Sequence, residues 1–187
     1  MRVIGGSARG RRLQVPRGRD VRPTPDRVRE TLFNWLQGDL DGVTALDLFA
    51  GSGGLGIEAL SRGAGHVTFV ENGRPALAAL QENLTFFGGD GRVRMVRASA
   101  WQFLAGRPER AFELVFLDPP YGRGWVSRAG DLLESGGWLT PAAWIYVESA
   151  RDEDPVPVPE NWQPHREGTC GEVAYRLYHR DVPAATA

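Results

Sequence analysis

Lysine is absent from the 187-residue sequence, cysteine occurs once, and no apolar run approaches the roughly 18 residues that cross a membrane. The single Cys170 cannot form an internal disulfide, which fits a reducing compartment. No basic segment followed by an apolar one opens the chain, so we expect no secretory leader. Together these absences predict a cytoplasmic protein without a membrane span.

The composition is that of a folded globular protein, with 42% hydrophobic and 24% charged residues. It excludes collagenous, coiled-coil and disordered chains, and a chain of this length can bury a core without disulfides or metals. We predict one main domain over residues 23–182, an arginine-rich arm over residues 1–22 and a flexible tail over residues 183–187.

Charge is distributed unevenly along the chain. Residues 1–29 contain nine arginines and two acidic residues, a net charge of +7, whereas the remaining residues carry a net charge of −8. A basic end on an acidic body favours contact with a polyanion over a merely solvated arm. Because the guanidinium group of arginine suits phosphates and stacks on bases, the arm points to nucleic acid.

Apolar runs and helical patterns alternate from residue 43 onward, which predicts an α/β protein with a mostly parallel sheet. The predicted strands cover 43–49, 66–71, 92–97, 112–117, 144–148, 162–167 and 172–180, the last two forming an antiparallel hairpin turned at Gly168 and Gly171. The predicted helices cover 24–38, with Thr24 as N-cap and Pro25 first, then 53–62, 75–87, 101–104 and 125–134. Two short runs over 2–6 and 11–15 predict an N-terminal β-hairpin.

A glycine-rich loop follows the first predicted strand of the sheet. Gly51, Gly53 and Gly56 have the spacing G-x-G-x-x-G, which allows a tight turn and close approach of the backbone to a ligand. Glu71, 20 positions after Gly51, ends the next strand, where a carboxylate can accept both ribose hydroxyls of an adenosine. Asp47 precedes the loop and suits an ammonium group rather than a pyrophosphate, so S-adenosylmethionine is favoured over NAD.

The fourth predicted strand ends in Asp118-Pro119-Pro120-Tyr121. The exocyclic amine of a nucleobase is a poor nucleophile because its lone pair is delocalised into the ring. Asp118 and a proline carbonyl can accept both N–H groups of such an amine, which orients its lone pair and stabilises the developing positive charge. Tyr121 can stack on a flipped base.

These motifs resemble those of class I methyltransferases that act on a nucleobase amine, and the N-terminal segments narrow the resemblance to the RsmD family of bacterial 16S rRNA guanine-N2 methyltransferases. The similarity covers almost the whole chain. It is carried by R-V-I-G-G at 2–6, R-P-T-x-D-R-V-R-E-T-L-F-N-x-L at 22–36, D-x-F-A-G-S-G at 47–53, D-P-P-Y at 118–121, Y-V-E at 146–148 and V-A-Y-R-L-Y at 173–178.

The resemblance implies a Rossmann-like fold, S-adenosylmethionine as donor, and a guanine of 16S rRNA, of the 966 type, on the small ribosomal subunit as acceptor. The implied acceptor residues are Asp118, Pro119, Pro120 and Tyr121. The implied cofactor residues are Thr24, Asp26, Arg27, Asp47, Phe49, Ala50, Gly51, Ser52, Gly53, Glu71, Asn72, Ser99, Ala100 and Asp118. The implied RNA-binding residues are Arg2, Arg9, Arg11, Arg12 and Arg22.

Other residues have simpler interpretations. Ser99 stands where many such enzymes place Asp or Asn against the adenine amino group, and its hydroxyl can accept the same hydrogen bond. The four tryptophans Trp35, Trp101, Trp138 and Trp144 are assigned to the core, whereas Trp125 could border the base pocket. Arg123 is a phosphate contact or a solvated surface residue. The three histidines lack ligand spacing, so we expect no metal, and we expect a monomer.

Three alternative functions remain open at the level of the sequence. The same four-residue turn serves N6-adenine methylation of DNA or RNA, although the chain leaves little room for a separate DNA-reading domain. A non-catalytic RNA-binding assembly factor would have the fold without the transfer. A dehydrogenase would bind NAD at the glycine loop.

Overall fold

The computed structural model describes residues 1–16, 24–88 and 91–182. The five helices of these ranges are α1 Asp26–Trp35, α2 Gly54–Ser61, α3 Arg74–Leu84, α4 Ala100–Leu104 and α5 Trp125–Ser135, with 3-10 turns at Gly6–Ala8 and Thr85–Phe87. The seven strands are β1 Thr44–Asp47, β2 His66–Glu71, β3 Val93–Arg97, β4 Phe112–Leu117, β5 Leu139–Ala150, β6 Trp162–Cys170 and β7 Val173–Arg180.

The strands form one sheet in the order β3-β2-β1-β4-β5-β7-β6. The first five strands are parallel, and β7 runs antiparallel to both β5 and β6, which confirms the predicted α/β architecture with a C-terminal hairpin. The strand order reverses between β1 and β4. In open α/β sheets ligands bind at the carboxyl ends of the strands at such a reversal, which here brings the end of β1 beside the end of β4.

Apolar clusters cover both faces of the sheet, which explains why β1 and β4 are mostly buried along their length. On one face Leu32, Leu60 and Leu80 anchor α1, α2 and α3, and on the other Leu104 and Leu133 anchor α4 and α5. No helix in the described ranges has the length and apolarity that a membrane crossing requires.

The N-terminal segment is packed onto the first of these faces. Val3, Ala8 and Leu13 are buried in the same cluster as α1 and α2. The predicted hairpin of two strands is reduced to one antiparallel bridge between Arg2 and Arg12, with a 3-10 turn between them.

Helix α2 provides the physical reason for this short hairpin. The buried carboxylate of Glu58 accepts hydrogen bonds from the backbone N–H groups of Ile4 and Gly5, each at 2.8 Å. The Ser61 hydroxyl accepts one from the Ala8 N–H group at 2.9 Å. Backbone donors that a longer hairpin would pair across its strands are therefore bonded to the helix instead.

Several predicted boundaries differ from the structure. Pro25 occupies the N-cap position of α1, and the predicted cap, Thr24, instead donates its hydroxyl proton to Asp118 Oδ2 at 3.1 Å. Strand β5 is longer than predicted at both ends. Gly168 lies within β6 rather than in the turn of the hairpin, which falls after Cys170 and includes Gly171.

Candidate active site

A cavity of about 1600 Å³ opens at the carboxyl ends of β1, β2 and β4. It brings together most of the residues that the sequence predicts for the cofactor and the acceptor. Those lining it are Thr24, Asp47, Phe49, Ala50, Gly51, Ser52, Glu71, Asn72, Ser99, Ala100, Asp118, Pro119, Pro120 and Tyr121.

The glycine loop needs glycine for backbone reasons at two positions. Gly51 and Gly53 have φ angles of +54° and +89°, in the left-handed region that side chains disfavour. A Cβ atom on Gly53 would also lie 2.6 Å from Leu80 Cδ1, so the loop could not pack on α3. Gly53 itself lies behind the cavity, whereas Gly51, Ser52 and Gly54 line it.

Glu71 organises the loops around the cofactor end of the cavity. Its Oε2 accepts a hydrogen bond from Gly51 N–H at 2.8 Å, and its Oε1 accepts bonds from the N–H groups of Asn72 and Gly73 at 2.9 and 2.6 Å. One carboxylate thereby fixes both the glycine loop and the turn after β2. Each carboxylate oxygen has more than one acceptor direction, so the group can still meet a ligand hydroxyl.

Asp47 is 3% exposed and lies below the glycine loop. Its Oδ2 accepts a hydrogen bond from Gly56 N–H in α2 at 3.0 Å. Burial raises the pKa of Asp47 from 3.8 to about 7, the bond from Gly56 opposes that shift, and the charge of Glu71 adds to it. A cationic ligand group beside Asp47 would favour its ionised form.

The acceptor turn is supported by a second buried carboxylate, that of Glu148 on β5. Tyr121 donates its hydroxyl proton to Glu148 Oε1, and Tyr146 donates to Oε2, both at 2.9 Å. Glu148 is 2% exposed, whereas Tyr121 is 39% exposed and lines the cavity. The hydroxyl of Tyr121 is thus fixed on Glu148, and the residue lines the cavity beside Asp118.

The two acceptor-side carboxyl groups influence each other electrostatically. Burial raises the pKa of Asp118 well above its ordinary value, and the nearby charge of Glu148 raises it further. The hydrogen bond from Thr24 opposes this shift. Burial also raises the pKa of Glu148, although the hydrogen bonds from Tyr146 and Tyr121 oppose the shift. Asp118 Oδ1 makes no hydrogen bond with any residue of the described ranges, which leaves it available to a ligand donor.

The predicted adenine contacts lie at the end of the cavity next to β2 and β3. Asn72 is exposed there. Ser99 caps α4: its Oγ accepts from Gln102 N–H at 3.2 Å, and Gln102 Oε1 accepts from the Ser99 N–H at 3.0 Å. The hydroxyl of Ser99 therefore already has a structural role, and a remaining lone pair would have to serve the adenine.

Three aromatic rings form the wall between the cofactor loop and the acceptor turn. Phe49, Trp101 and Trp125 are all half-buried and line the cavity, and Trp101 also packs against the core, as its assignment predicts. Trp101 follows the end of β3, where its ring meets Phe49 and Trp125 edge to face. The expected position of Trp125 beside the acceptor turn agrees with the structure.

Some predicted site residues lie elsewhere. Asp26 and Arg27 are exposed on α1, outside the cavity lining, and Asp26 pairs with Arg29 at 2.7 Å. The predicted RNA contacts Arg2, Arg9, Arg11 and Arg12 are all exposed on the N-terminal segment. Arg22 lies outside the described residues.

Sequence reasoning assigned no role to Glu148 or Tyr146. The available signal was a carboxylate two positions after a tyrosine in an apolar strand, which places both side chains on one face. No group of three or more His, Cys, Asp or Glu side chains in residues 1–16, 24–88 and 91–182 could hold a metal ion, and the metal-free site remains a prediction.

A mostly parallel sheet of this order, with a glycine loop after β1, defines the Rossmann-like fold of class I methyltransferases. The model of the family described as "Conserved hypothetical protein 95" matches residues 1–179. The chain belongs to this family, which confirms the resemblance to the RsmD family.

Individual relatives agree with this assignment. The chain is 48% identical over 184 residues to the "Ribosomal RNA small subunit methyltransferase D" of Escherichia coli strain K12, covering 97% of this chain and 91% of that one. The solved structure of "Putative methyltransferase yhhF from Escherichia coli" superposes with a TM-score of 0.87 at 46% identity, covering 97% and 98% of the two chains. An RNA methyltransferase from Salinibacter ruber, crystallised with S-adenosyl-L-homocysteine, shares the fold at 17% identity with a TM-score of 0.61, covering 89% and 98%.

Proposed function

We propose that this protein transfers a methyl group from S-adenosylmethionine to the exocyclic N2 amine of a guanine in 16S rRNA, on the assembled or assembling small ribosomal subunit. The observation that carries the proposal is the cavity in which the glycine loop and the Asp118–Tyr121 turn face one ligand space. The name of the Escherichia coli relative, a small-subunit rRNA methyltransferase, supports the acceptor class.

The residues at the cofactor end of the cavity fit S-adenosylmethionine. The left-handed glycines let the backbone approach a ligand closely, Glu71 offers acceptor positions for a ribose diol, and Asp47 suits the ammonium group of the methionine part. Bound there, the cofactor would supply an electrophilic methyl group. The Salinibacter ruber neighbour, which binds S-adenosyl-L-homocysteine on the same fold, supports this choice.

The Asp118–Tyr121 turn would activate the exocyclic amine of the guanine. Asp118 Oδ1 is available to accept an N–H bond, and the prolines after it lack N–H donors and hold their φ angles fixed. Acceptors in this arrangement orient the lone pair of the nitrogen and stabilise the positive charge that develops on it. Tyr121, whose hydroxyl is fixed on Glu148, would contact the base from the cavity wall.

The exposed arginines of the N-terminal segment would bind rRNA phosphates. Arg2, Arg9, Arg11 and Arg12 lie within a segment that is fixed to α2, so their positions relative to the cavity are set by the fold. A preorganised basic surface loses little conformational freedom when it binds a polyanion.

Methyl transfer from labelled S-adenosylmethionine to unmodified small subunits, free 16S rRNA and duplex DNA tests the proposal, with the labelled nucleoside identified. We expect N2-methylguanosine from the ribosomal material and none from DNA. Labelled N6-methyladenosine would replace the proposed acceptor by adenine. Wild-type protein that binds the cofactor and methylates none of the three substrates would overturn the proposed function, with the Asp118→Ala variant as the inactive control.

A further inference from the structure

Two arginines pack on the aromatic wall of the cavity. Trp101 and Trp125 pack edge to face, with ring centroids 5.3 Å apart, and Trp125 stacks on Phe49 at 5.9 Å. The Arg128 guanidinium lies over the Trp101 ring, 4.1 Å from its centroid, and that of Arg123 lies over the Trp125 ring at 5.1 Å. The two packed tryptophan rings therefore carry one arginine each, and we name this group of Arg123, Trp125, Trp101 and Arg128 the arginine–tryptophan layer.

The two arginines of the layer lack acidic partners. Arg123 and Arg128 are exposed, and neither side chain makes an ion pair or hydrogen bond with another residue of the described ranges. In contrast, Arg29, Arg176 and Arg180 are paired with carboxylates. A guanidinium held over an aromatic face keeps its N–H donors free at its edge, where they suit phosphate oxygens.

The arginine–tryptophan layer lies next to the Asp118–Tyr121 turn. Arg123 follows Tyr121 by two residues, so their Cα atoms are at most roughly 7 Å apart. Arg123, Trp125 and Trp101 line the same cavity as Asp118 and Tyr121. A nucleotide whose base enters the acceptor turn would therefore have its own or a neighbouring phosphate within reach of the long side chain of Arg123.

The layer is separate from the N-terminal arginines. The N-terminal segment packs with α1, α2 and α3 on one face of the sheet, whereas Trp101 and the helix that carries Arg128 belong to the opposite face. The two basic surfaces thus lie on opposite faces of the sheet, with the cavity at the strand ends between them.

We propose that Arg123 and Arg128, held on Trp125 and Trp101, bind the phosphodiester backbone of the RNA beside the methylated nucleotide. This inference rests on the proposed function, because it takes the acceptor to be a nucleotide of an RNA strand. It gives the RNA a second contact, on the side of the cavity opposite the N-terminal segment. The two contacts together would hold the strand across the cavity while one base is inserted.

A double variant, Arg123→Ala with Arg128→Ala, tests this contact against the matched control Arg166→Ala. Arg166 is also exposed, without an ion pair in the described ranges, and lies on the edge strand β6. We expect the double variant to raise KM for small subunits about 10-fold with kcat nearly unchanged. The slope of log affinity against log salt should fall by about 1.4, because two phosphate contacts to single-stranded RNA are lost.

The ring beneath Arg123 provides a second, independent variant. Trp125→Leu keeps an apolar side chain against Phe49 and removes the aromatic face that positions Arg123. We expect a smaller rise in KM, about 3-fold, in line with the modest strength of an exposed cation–π contact. The affinity for S-adenosylhomocysteine should stay at the wild-type value in the double variant and in Arg166→Ala.

Direct binding of a labelled single-stranded RNA oligonucleotide separates this contact from the proposed function. RNA binding that is weakened in the double variant but not in Arg166→Ala supports the contact even where wild-type protein transfers no methyl group. Normal transfer with equal RNA affinity and salt slope in all variants overturns the contact and leaves the function intact. A parallel loss of S-adenosylhomocysteine affinity also overturns it, because the layer would then belong to the cofactor pocket.

Discussion

The two ends of the cavity are built from different chemical groups. At the cofactor end, Glu71 and Asp47 accept hydrogen bonds from backbone N–H groups, four in all. At the acceptor end, Asp118 and Glu148 accept from the side-chain hydroxyls of Thr24, Tyr121 and Tyr146. One end therefore depends on backbone geometry, and the other on side chains from three separate parts of the chain.

This difference has consequences for how each end responds to change. Backbone donors are fixed by the loop itself, so a carboxylate that binds them holds the loop in one conformation. Side-chain hydroxyls can rotate and adapt, and the two carboxyl groups they surround raise each other's proton affinity. We expect the cofactor end to govern binding and the acceptor end to govern the chemical step.

The largest expected effect is that of Asp118→Ala on methyl transfer. Removing an acceptor that stabilises developing charge costs on the order of 100- to 1000-fold in kcat. Affinity for S-adenosylhomocysteine should change by less than about 3-fold, because the proposed contacts of Asp118 are to the acceptor amine. Single-turnover rates and calorimetric titration measure the two quantities separately.

Asp118→Asn serves as the matched control because it keeps one oxygen acceptor at the same position. It should retain more activity than Asp118→Ala. If both variants turn over at the wild-type rate, Asp118 has no part in the chemistry, and the proposed division between the two ends fails.

Glu71→Gln should produce the next largest effect, and on binding rather than on chemistry. The amide keeps the size of the side chain but offers one oxygen in place of two, so at least one of the bonds to Gly51, Asn72 and Gly73 is lost. A hydrogen bond to a charged group contributes about 1.5–3 kcal/mol, which predicts a 10- to 100-fold loss of affinity for S-adenosylhomocysteine. At saturating cofactor, kcat should remain close to wild type; a kcat defect with normal affinity would contradict the prediction.

Much of the fold follows from the sequence because its strands are buried on both faces. The predicted bounds of β2 and β4 match the structure, since each is a largely buried run ended by a turn. The predicted fifth strand is shorter than β5, because Pro141 and its exposed neighbour Ala142 interrupt the apolar pattern at the start of the strand. A strand whose first residues are exposed to solvent has no clear hydrophobic pattern there, so its start is not evident from a single sequence.

The candidate site was only partly predictable for a similar reason. The glycine loop and the Asp118–Tyr121 turn are local motifs, so the sequence contains them whole. The support from Glu148 depends on the pairing of β4 with β5, which sets Leu117 opposite Val147 and thereby brings Asp118 beside Glu148. That register is a product of the folded sheet, and no local pattern encodes it.

The two tyrosines that donate hydrogen bonds to Glu148 differ in burial. Tyr146→Phe removes a donor from a carboxylate in a fully buried position, which should lower the free energy of unfolding by about 1–3 kcal/mol. Tyr121→Phe should cost less than about 1 kcal/mol, because its hydrogen bond to Glu148 is only partly buried. Chemical denaturation measures both; equal losses would mean that the acceptor end is no more open than the core.

The order of the two variants should be reversed for methyl transfer, with Tyr121→Phe having the larger effect. Tyr121→Phe frees the ring at the cavity and should raise KM for the RNA several-fold, whereas Tyr146→Phe, which does not line the cavity, should leave KM near wild type. Steady-state kinetics on small subunits therefore separate the positioning of the base from the stability of the sheet.

The smallest expected effect is a change in pH dependence, and it tests whether Asp47 belongs with the cofactor end at all. Asp47 binds a backbone N–H group like Glu71, yet burial raises its pKa to about 7, as burial does for the acceptor carboxyl groups. Because the folded pKa exceeds the ordinary value of 3.8, the protonated group favours folding, and this contribution is lost as pH rises from about 4 through about 7. Thermal unfolding of wild-type protein and Asp47→Asn across that range should show the Tm of wild type falling relative to that of the variant as pH rises. Identical pH slopes would mean that Asp47 is ionised throughout, and the two ends would then differ in charge state as well as in their donors.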